Sequence, residues 1–258
     1  MAVKMDLNSS PIFVFVPGAW HTPDTFDIVR DVLAKRGYES EAVPNVSGGA
    51  TDTSFGLLAD VAHTKIVVQT LADQGRQIVV VNHSYGGLVG AGAVEGLGLK
   101  QRAQAGLSGG VIQVVWMAAF VAPKGMSVID MLGGDYLPWM LLKDPDDGYC
   151  YSSQEETIFY HDMTPEAQKT AISKLKPHAK PSFHEKAIYE PWHDMPSFYL
   201  FCDQDKAVPL QLQEGLARTL GNPGTHHADG SHSAFLSVPD QVADGLVLAL
   251  KEGLEKTS

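Results

Sequence analysis

Apolar residues in this chain gather in runs of about five, at 12–16, 78–81, 111–120 and 198–202, with a weaker run at 41–43 and a polar one at 225–228. Between the runs, apolar positions recur every three or four residues, the spacing of amphipathic helices, at 24–36, 55–73, 85–97, 209–220 and 239–256. Short buried-type strands alternating with longer helices predict an α/β fold, a mostly parallel central sheet with helices on both faces. Residues 122–196 break the rhythm. They hold turn-forming sequence (KDPDDG at 143–148), scattered aromatics, and a helix start with Thr164 as N-cap and Pro165 at the first helical position. An insertion of that length between two core strands predicts a cap over a site. No Pro-, Gly- or Ser-rich linker divides the 258 residues, so 1–258 reads as a single domain with this cap built in.

Composition narrows the partners. A formal charge of -11, from 30 acidic and 19 scattered basic residues, argues against a nucleic-acid partner. No apolar run reaches the roughly 20 residues of a membrane span, and MAVKMDLNSS at the N-terminus lacks the apolar core of a secretion signal. Cys150 and Cys202 lie outside any C-x-x-C spacing and read as reduced thiols. These features predict a cytoplasmic protein; a homodimer is left open.

The run at 78–81 leads straight into NHSYGG at 82–87 and then into a helix. That is the context of a nucleophile elbow, where Ser84 sits on a tight turn with its hydroxyl above the sheet and small residues let strand and helix approach. Asn82 occupies the place where G-x-S-x-G has glycine, and asparagine tolerates unusual backbone angles better than most residues. Neither G-x-G-x-x-G nor G-x-x-x-x-G-K-[ST] occurs at this turn, which removes the dinucleotide and phosphate-loop readings.

A serine hydroxyl needs a histidine to take its proton, and that histidine needs a carboxylate. Downstream of the run at 198–202, Asp203 and Asp205 compete for the acid's place. Asp205 is favoured because it lies on the loop before Pro209 opens a helix, whereas Asp203 sits at the strand end. His232, flanked by Ser231 and Ser233 between the polar strand and the last helix, supplies the imidazole in the expected order serine, acid, histidine. His226, His227 and Asp229 raise the thought of a metal, but adjacent strand residues point to opposite faces and no metal-ligand spacing is present, so no metal or other cofactor is expected. The amide of Tyr85, following the nucleophile, and that of Ala19, in the loop Pro17-Gly18-Ala19-Trp20-His21, are the candidate oxyanion donors.

Taken together, PGAWHTPDTF at 17–26, NHSYGG at 82–87, AAFVAPKGMS at 118–127, FCDQDKAVP at 201–209 and DGSHSAFLSVPDQVAD at 229–244 resemble the α/β-hydrolase superfamily over nearly the whole chain. The similarity is to the branch of small carboxylesterases, methyl-salicylate-type esterases and hydroxynitrile lyases. The resemblance implies Ser84, Asp205 and His232 as triad and Ala19 and Tyr85 as oxyanion hole. Pro17 and Asn82 depart from the histidine and glycine usual in that branch, and Ser233 stands where the lyases carry lysine. The expected activity is hydrolysis of a small-molecule carboxylic ester or lactone. The same residues also suit C–C or cyanohydrin lysis, cyclisation, or a ligand-binding receptor with little turnover. Trp20, His21, Trp139, Met140, Tyr149, Phe159 and Trp192 are candidates for the wall of an apolar substrate pocket.

Overall fold

The computed structural model describes residues 11–258, so the N-terminal stretch read as lacking a secretion signal lies outside the described residues. Strands β1 (Ile12–Val16), β2 (Glu39–Ala42), β3 (Gln77–His83), β4 (Gly110–Met117), β8 (Ser197–Cys202) and β9 (Gly224–Ala228) form one sheet in the order β2-β1-β3-β4-β8-β9. Every neighbouring pair in it is parallel. Both faces are covered, which is why β1 and β3 are wholly apolar through their middles rather than alternating with polar residues. On one face Phe13, Phe15, Val79, Val81, Phe198 and Leu200 pack with α1 (Asp27–Lys35) and α11 (Pro239–Thr257). On the other, Val14, Val16, Ile78, Val80, Trp116 and Tyr199 pack with α2 (Leu57–Asp73) and α3 (Gly86–Ala93). The remaining helices of the main body are α4 (Leu99–Gln104), α9 (Leu210–Thr219) and the short α10 (Ala234–Ser237).

The chain first steps outward from β1 to β2, then returns past β1 to β3 and continues the other way. This reversal opens a crevice at the carboxyl ends of β1 and β3, the place where open α/β sheets bind ligands. The loops after β1, β3, β8 and β9 all emerge on that edge.

Between β4 and β8 the chain builds a separate layer. Strands β5 (Met140–Leu142), β6 (Tyr149–Ser152) and β7 (His178–Ala179) form a small antiparallel sheet, accompanied by α5 (Val128–Met131), α6 (Glu155–Ile158), α7 (Pro165–Ile172) and α8 (Pro181–His184). Helix α7 starts as its sequence predicts, the Thr164 hydroxyl accepting a hydrogen bond from the Ala167 amide. The helix read at 85–97 is shorter in the structure and ends at Ala93. Among the described residues no helix is long and apolar enough to cross a membrane. Cys150 and Cys202 are both buried and unpaired with each other.

Candidate active site

Ser84 stands between β3 and α3 with a φ of 54°, a left-handed conformation that costs a serine of order 1–3 kcal/mol. Its surroundings hold it there. The Ser84 carbonyl accepts from the amides of Gly87 and Phe120, at 3.0 and 3.1 Å. A Cβ on Gly86 would come within 2.5 Å of the Val16 carbonyl oxygen, and one on Gly87 within 2.1 Å of that of Phe120. The turn is thus pressed against backbone on both sides, and only glycine fits. Asn82 is buried at the end of β3, and the space its side chain takes is given up by Gly90 on α3, where a Cβ would lie 1.7 Å from the Asn82 Oδ1. The bulk that departs from G-x-S-x-G at position 82 is therefore absorbed one helical turn along from the elbow glycines. Pro17 is buried too, and its carbonyl accepts from the Asn45 side-chain amide at 3.0 Å.

The loop after β8 brings in Asp205. Its Oδ1 accepts from the amides of Ala207 and Val208 at 2.7 and 2.9 Å, and its Oδ2 accepts from the ring Nδ1 of His232 at 2.7 Å. Gln213 on α9 adds a longer contact to Oδ2 at 3.4 Å, while its amide group is tied to both the N–H and the carbonyl of Cys202. The two side chains of the pair are 0% and 2% exposed. With Nδ1 committed to the carboxylate, Nε2 is the nitrogen left for the cavity that His232 shares with Ser84. His83, directly before the serine, donates from Nε2 to the His232 carbonyl at 2.9 Å, and its ring lies 4.5 Å from that of His232, tilted 48° to it. Burial, and then the facing rings of His232 and His21, hold the His83 pKa well below the ordinary histidine value, so it braces the loop as a neutral ring.

Ala19 and Tyr85 line the same cavity, and among the described residues no protein acceptor takes either amide. The cavity itself measures about 30 Å³. Of the predicted wall, Trp20, His21, Trp139, Met140 and Phe159 line it. Tyr149 and Trp192 lie elsewhere: the Tyr149 hydroxyl donates to the Ala50 carbonyl, and Trp192 packs edge-on against Trp116 at 6.2 Å. Phe120, Leu132, Leu137 and Phe183, with the smaller Val128, Ala207 and Val208, complete the wall and were not named as pocket candidates in the sequence, where nothing separates them from ordinary core residues. A roomier cavity of about 240 Å³ opens beyond His21 and Tyr160, lined by Ile28, Met163 and Lys174 among others, but Ser84 does not reach it.

His226 and His227 point apart as adjacent strand residues must: His226 reaches the Gln241 carbonyl and His227 the Asp203 carboxylate. No group of three or more His, Cys, Asp or Glu side chains placed to hold a metal occurs among the described residues.

Known proteins share this architecture. The chain is 27% identical over 250 residues to the alpha/beta hydrolase nvfD of Aspergillus novofumigatus, covering 95% of this chain and 98% of the relative. Polyneuridine aldehyde esterase superposes with a TM-score of 0.75 at 17% identity, over 93% of this chain and 98% of its own. A methylesterase from Arabidopsis does so with a TM-score of 0.71 at 19% identity, over 93% and 98%. The alpha/beta hydrolase family profile matches residues 13–245, nearly the whole described chain. The protein belongs to the α/β-hydrolase family.

Proposed function

We propose that the protein is a serine hydrolase that cleaves a carboxylic ester or lactone of a small apolar molecule. Ser84 attacks the carbonyl carbon, and His232 Nε2 takes the hydroxyl proton as the bond forms. Asp205 holds the ring in the tautomer with hydrogen on Nδ1 and stabilises the imidazolium. The amides of Ala19 and Tyr85 receive the oxyanion of the tetrahedral intermediate. Collapse expels the alcohol, which takes the proton back from His232. Water then repeats the sequence on the acyl enzyme, with His232 as base, and releases the acid. In a lactone, alcohol and acid remain on one product.

The observation that carries this reading is the Asp205–His232 pair, 2.7 Å apart and closed off from solvent, sharing a cavity with a serine at positive φ. An exposed pair at that distance would be ordinary; one walled in beside a strained serine is the arrangement acyl transfer needs. The wall supports an apolar substrate, since Trp20, Phe120, Leu132, Trp139 and Phe159 offer almost no hydrogen-bonding groups. Leu132, Leu137, Trp139, Met140, Phe159 and Phe183 all come from the segment between β4 and β8, which therefore serves as the cap over the site. The esterases among its structural neighbours are consistent with this chemistry.

Hydrolysis of p-nitrophenyl acetate and butyrate by wild type and Ser84→Ala tests the reading. Loss of turnover to background in the variant, with a fluorophosphonate adduct on Ser84 of the wild type, is the expected result. Equal rates from both proteins overturn it.

A further inference from the structure

A buried polar chain runs behind the cavity wall, away from the triad. The Trp20 amide donates to His178 Nδ1 at 3.2 Å. A ring nitrogen that accepts is unprotonated, so neutral His178 carries its hydrogen on Nε2 and donates to the Ser47 hydroxyl at 3.0 Å. Ser47 in turn donates through Oγ to Asp60 Oδ2 at 2.5 Å and through its amide to Oδ1 at 2.9 Å. The Tyr85 hydroxyl closes the chain on the same Oδ2 at 2.7 Å. All five residues are buried. Asp60 has no cationic partner among these, so the donors that converge on it are what offset its desolvation.

Each end of this chain meets a residue of the proposed oxyanion hole. At one end is Tyr85, whose own amide is a donor. At the other is the peptide between Ala19 and Trp20, directly after the Ala19 amide. That peptide is held at both poles: His178 receives its N–H, and His21 Nδ1–H donates to its carbonyl at 2.8 Å. His21 Nε2 then accepts from the Tyr160 hydroxyl at 3.0 Å. The clamp is needed because Trp20 has a φ of 65°, a conformation a bulky residue does not hold unaided. The small sheet adds two further ties: just before β7 the Lys176 amide donates to the Trp20 carbonyl at 2.9 Å, and the Trp20 indole donates to the carbonyl of Cys150 on β6 at 2.9 Å.

We infer that His178 is a positioning residue for the oxyanion hole: as a neutral acceptor anchored through Ser47 to Asp60, it fixes the Ala19–Trp20 peptide and so aims the Ala19 amide at the oxyanion. It does not line the cavity and touches no reacting atom. Burial, then the facing His21, pushes its pKa down to about 3, so it remains an acceptor across the neutral range. His21, pushed down to about 4 chiefly by burial, stays neutral alongside it.

The inference rests on the esterase reading, and its test is separable from that of Ser84. His178→Phe keeps a ring but offers the Trp20 amide no acceptor. It is expected to lower kcat on p-nitrophenyl butyrate by about ten- to a hundredfold with KM within about twofold, somewhat less than the loss of a whole oxyanion donor. Affinity for a trifluoromethyl ketone, whose adduct places an oxyanion in the hole, falls by the same factor. His178→Asn, whose side-chain oxygen overlies Nδ1, restores kcat to within about threefold of wild type. Should His178→Phe fail to fold, Ser47→Ala, which cuts the relay and leaves the imidazole, is read instead, with kcat lowered severalfold at unchanged KM. Unchanged kcat in the folded variant, or a loss confined to KM, overturns the clamp while leaving Ser84 as nucleophile intact. Wild type that turns over no ester overturns the esterase reading itself.

Discussion

Two aspartate–histidine pairs stand at the carboxyl edge of β8 and β9, and their N–O distances are the same. Asp203 meets His227 at 2.7 Å, and Asp205 meets His232 at 2.7 Å. The first pair is 29% and 53% exposed, the second 0% and 2%. Water competes for both partners in the outer pair, so its attraction is worth little, typically 0–1 kcal/mol. In the inner pair one carboxylate oxygen is filled by the amides of Ala207 and Val208, and the other takes His232 at 2.7 Å with only a long contact from Gln213 beside it. Separation alone thus says nothing about chemistry; the difference lies in which other donors surround the carboxylate and whether solvent reaches it.

The sharpest break of this contrast is Asp205→Asn. The amide alters which ring nitrogen of His232 carries the proton, and kcat on p-nitrophenyl butyrate is expected to drop by about 10⁴. Acid probes the burial half of the contrast. His21 and His178 have folded pKa values lowered to about 4 and about 3, against about 6.5 unfolded, so the unfolded chain binds protons that the folded one refuses. The stability they leave intact above pH 6.5 is lost as pH falls toward 4, by about 1.4 kcal/mol per pH unit for each histidine. Urea unfolding at pH 7 and pH 5 measures this, and His178→Asn removes one histidine's share of the slope. Gln213→Ala loosens the support of Asp205 and removes the acceptor of the Cys202 amide; about a tenfold fall in kcat and a loss of about 1–3 kcal/mol in urea unfolding are expected. Least affected are Asp203→Asn and His227→Ala, with kcat within twofold and stability within about 0.5 kcal/mol by the same assays. A large loss in either outer variant would break the comparison.

Much of this was legible because strand-to-loop transitions in a parallel sheet announce themselves: the β-branched run at 78–81 stops at NHSYGG, the aromatic run at 198–202 stops at DQDKAVP, the polar run at 225–228 stops at DGSHS, and the candidate site residues 84, 205 and 232 sit just past each stop. The choice between Asp203 and Asp205 rested on Pro209, which opens α9 and leaves room for the Asp205 loop to fold back. Other features depend on packing that a linear pattern does not express. Gly90 makes space for Asn82 across a strand–helix contact, and nothing local links positions 82 and 90. Tyr149 and Trp192 look like pocket aromatics in sequence, yet an aromatic in an irregular segment has no periodicity to reveal which way it turns. One signal was present and unused: Asp60 falls on the buried stripe of α2 with Leu57, Val61, Thr64 and Val68, where a carboxylate is out of place unless something receives it.

The parallel order of the sheet also has a bearing on how the molecule forms. The groups at positions 19, 84, 205 and 232 hang from β1, β3, β8 and β9, and β3 joins β8 only through β4, so long loops must close before the crevice exists. A site that draws on all four loops is therefore complete only once β8 and β9 have joined the sheet.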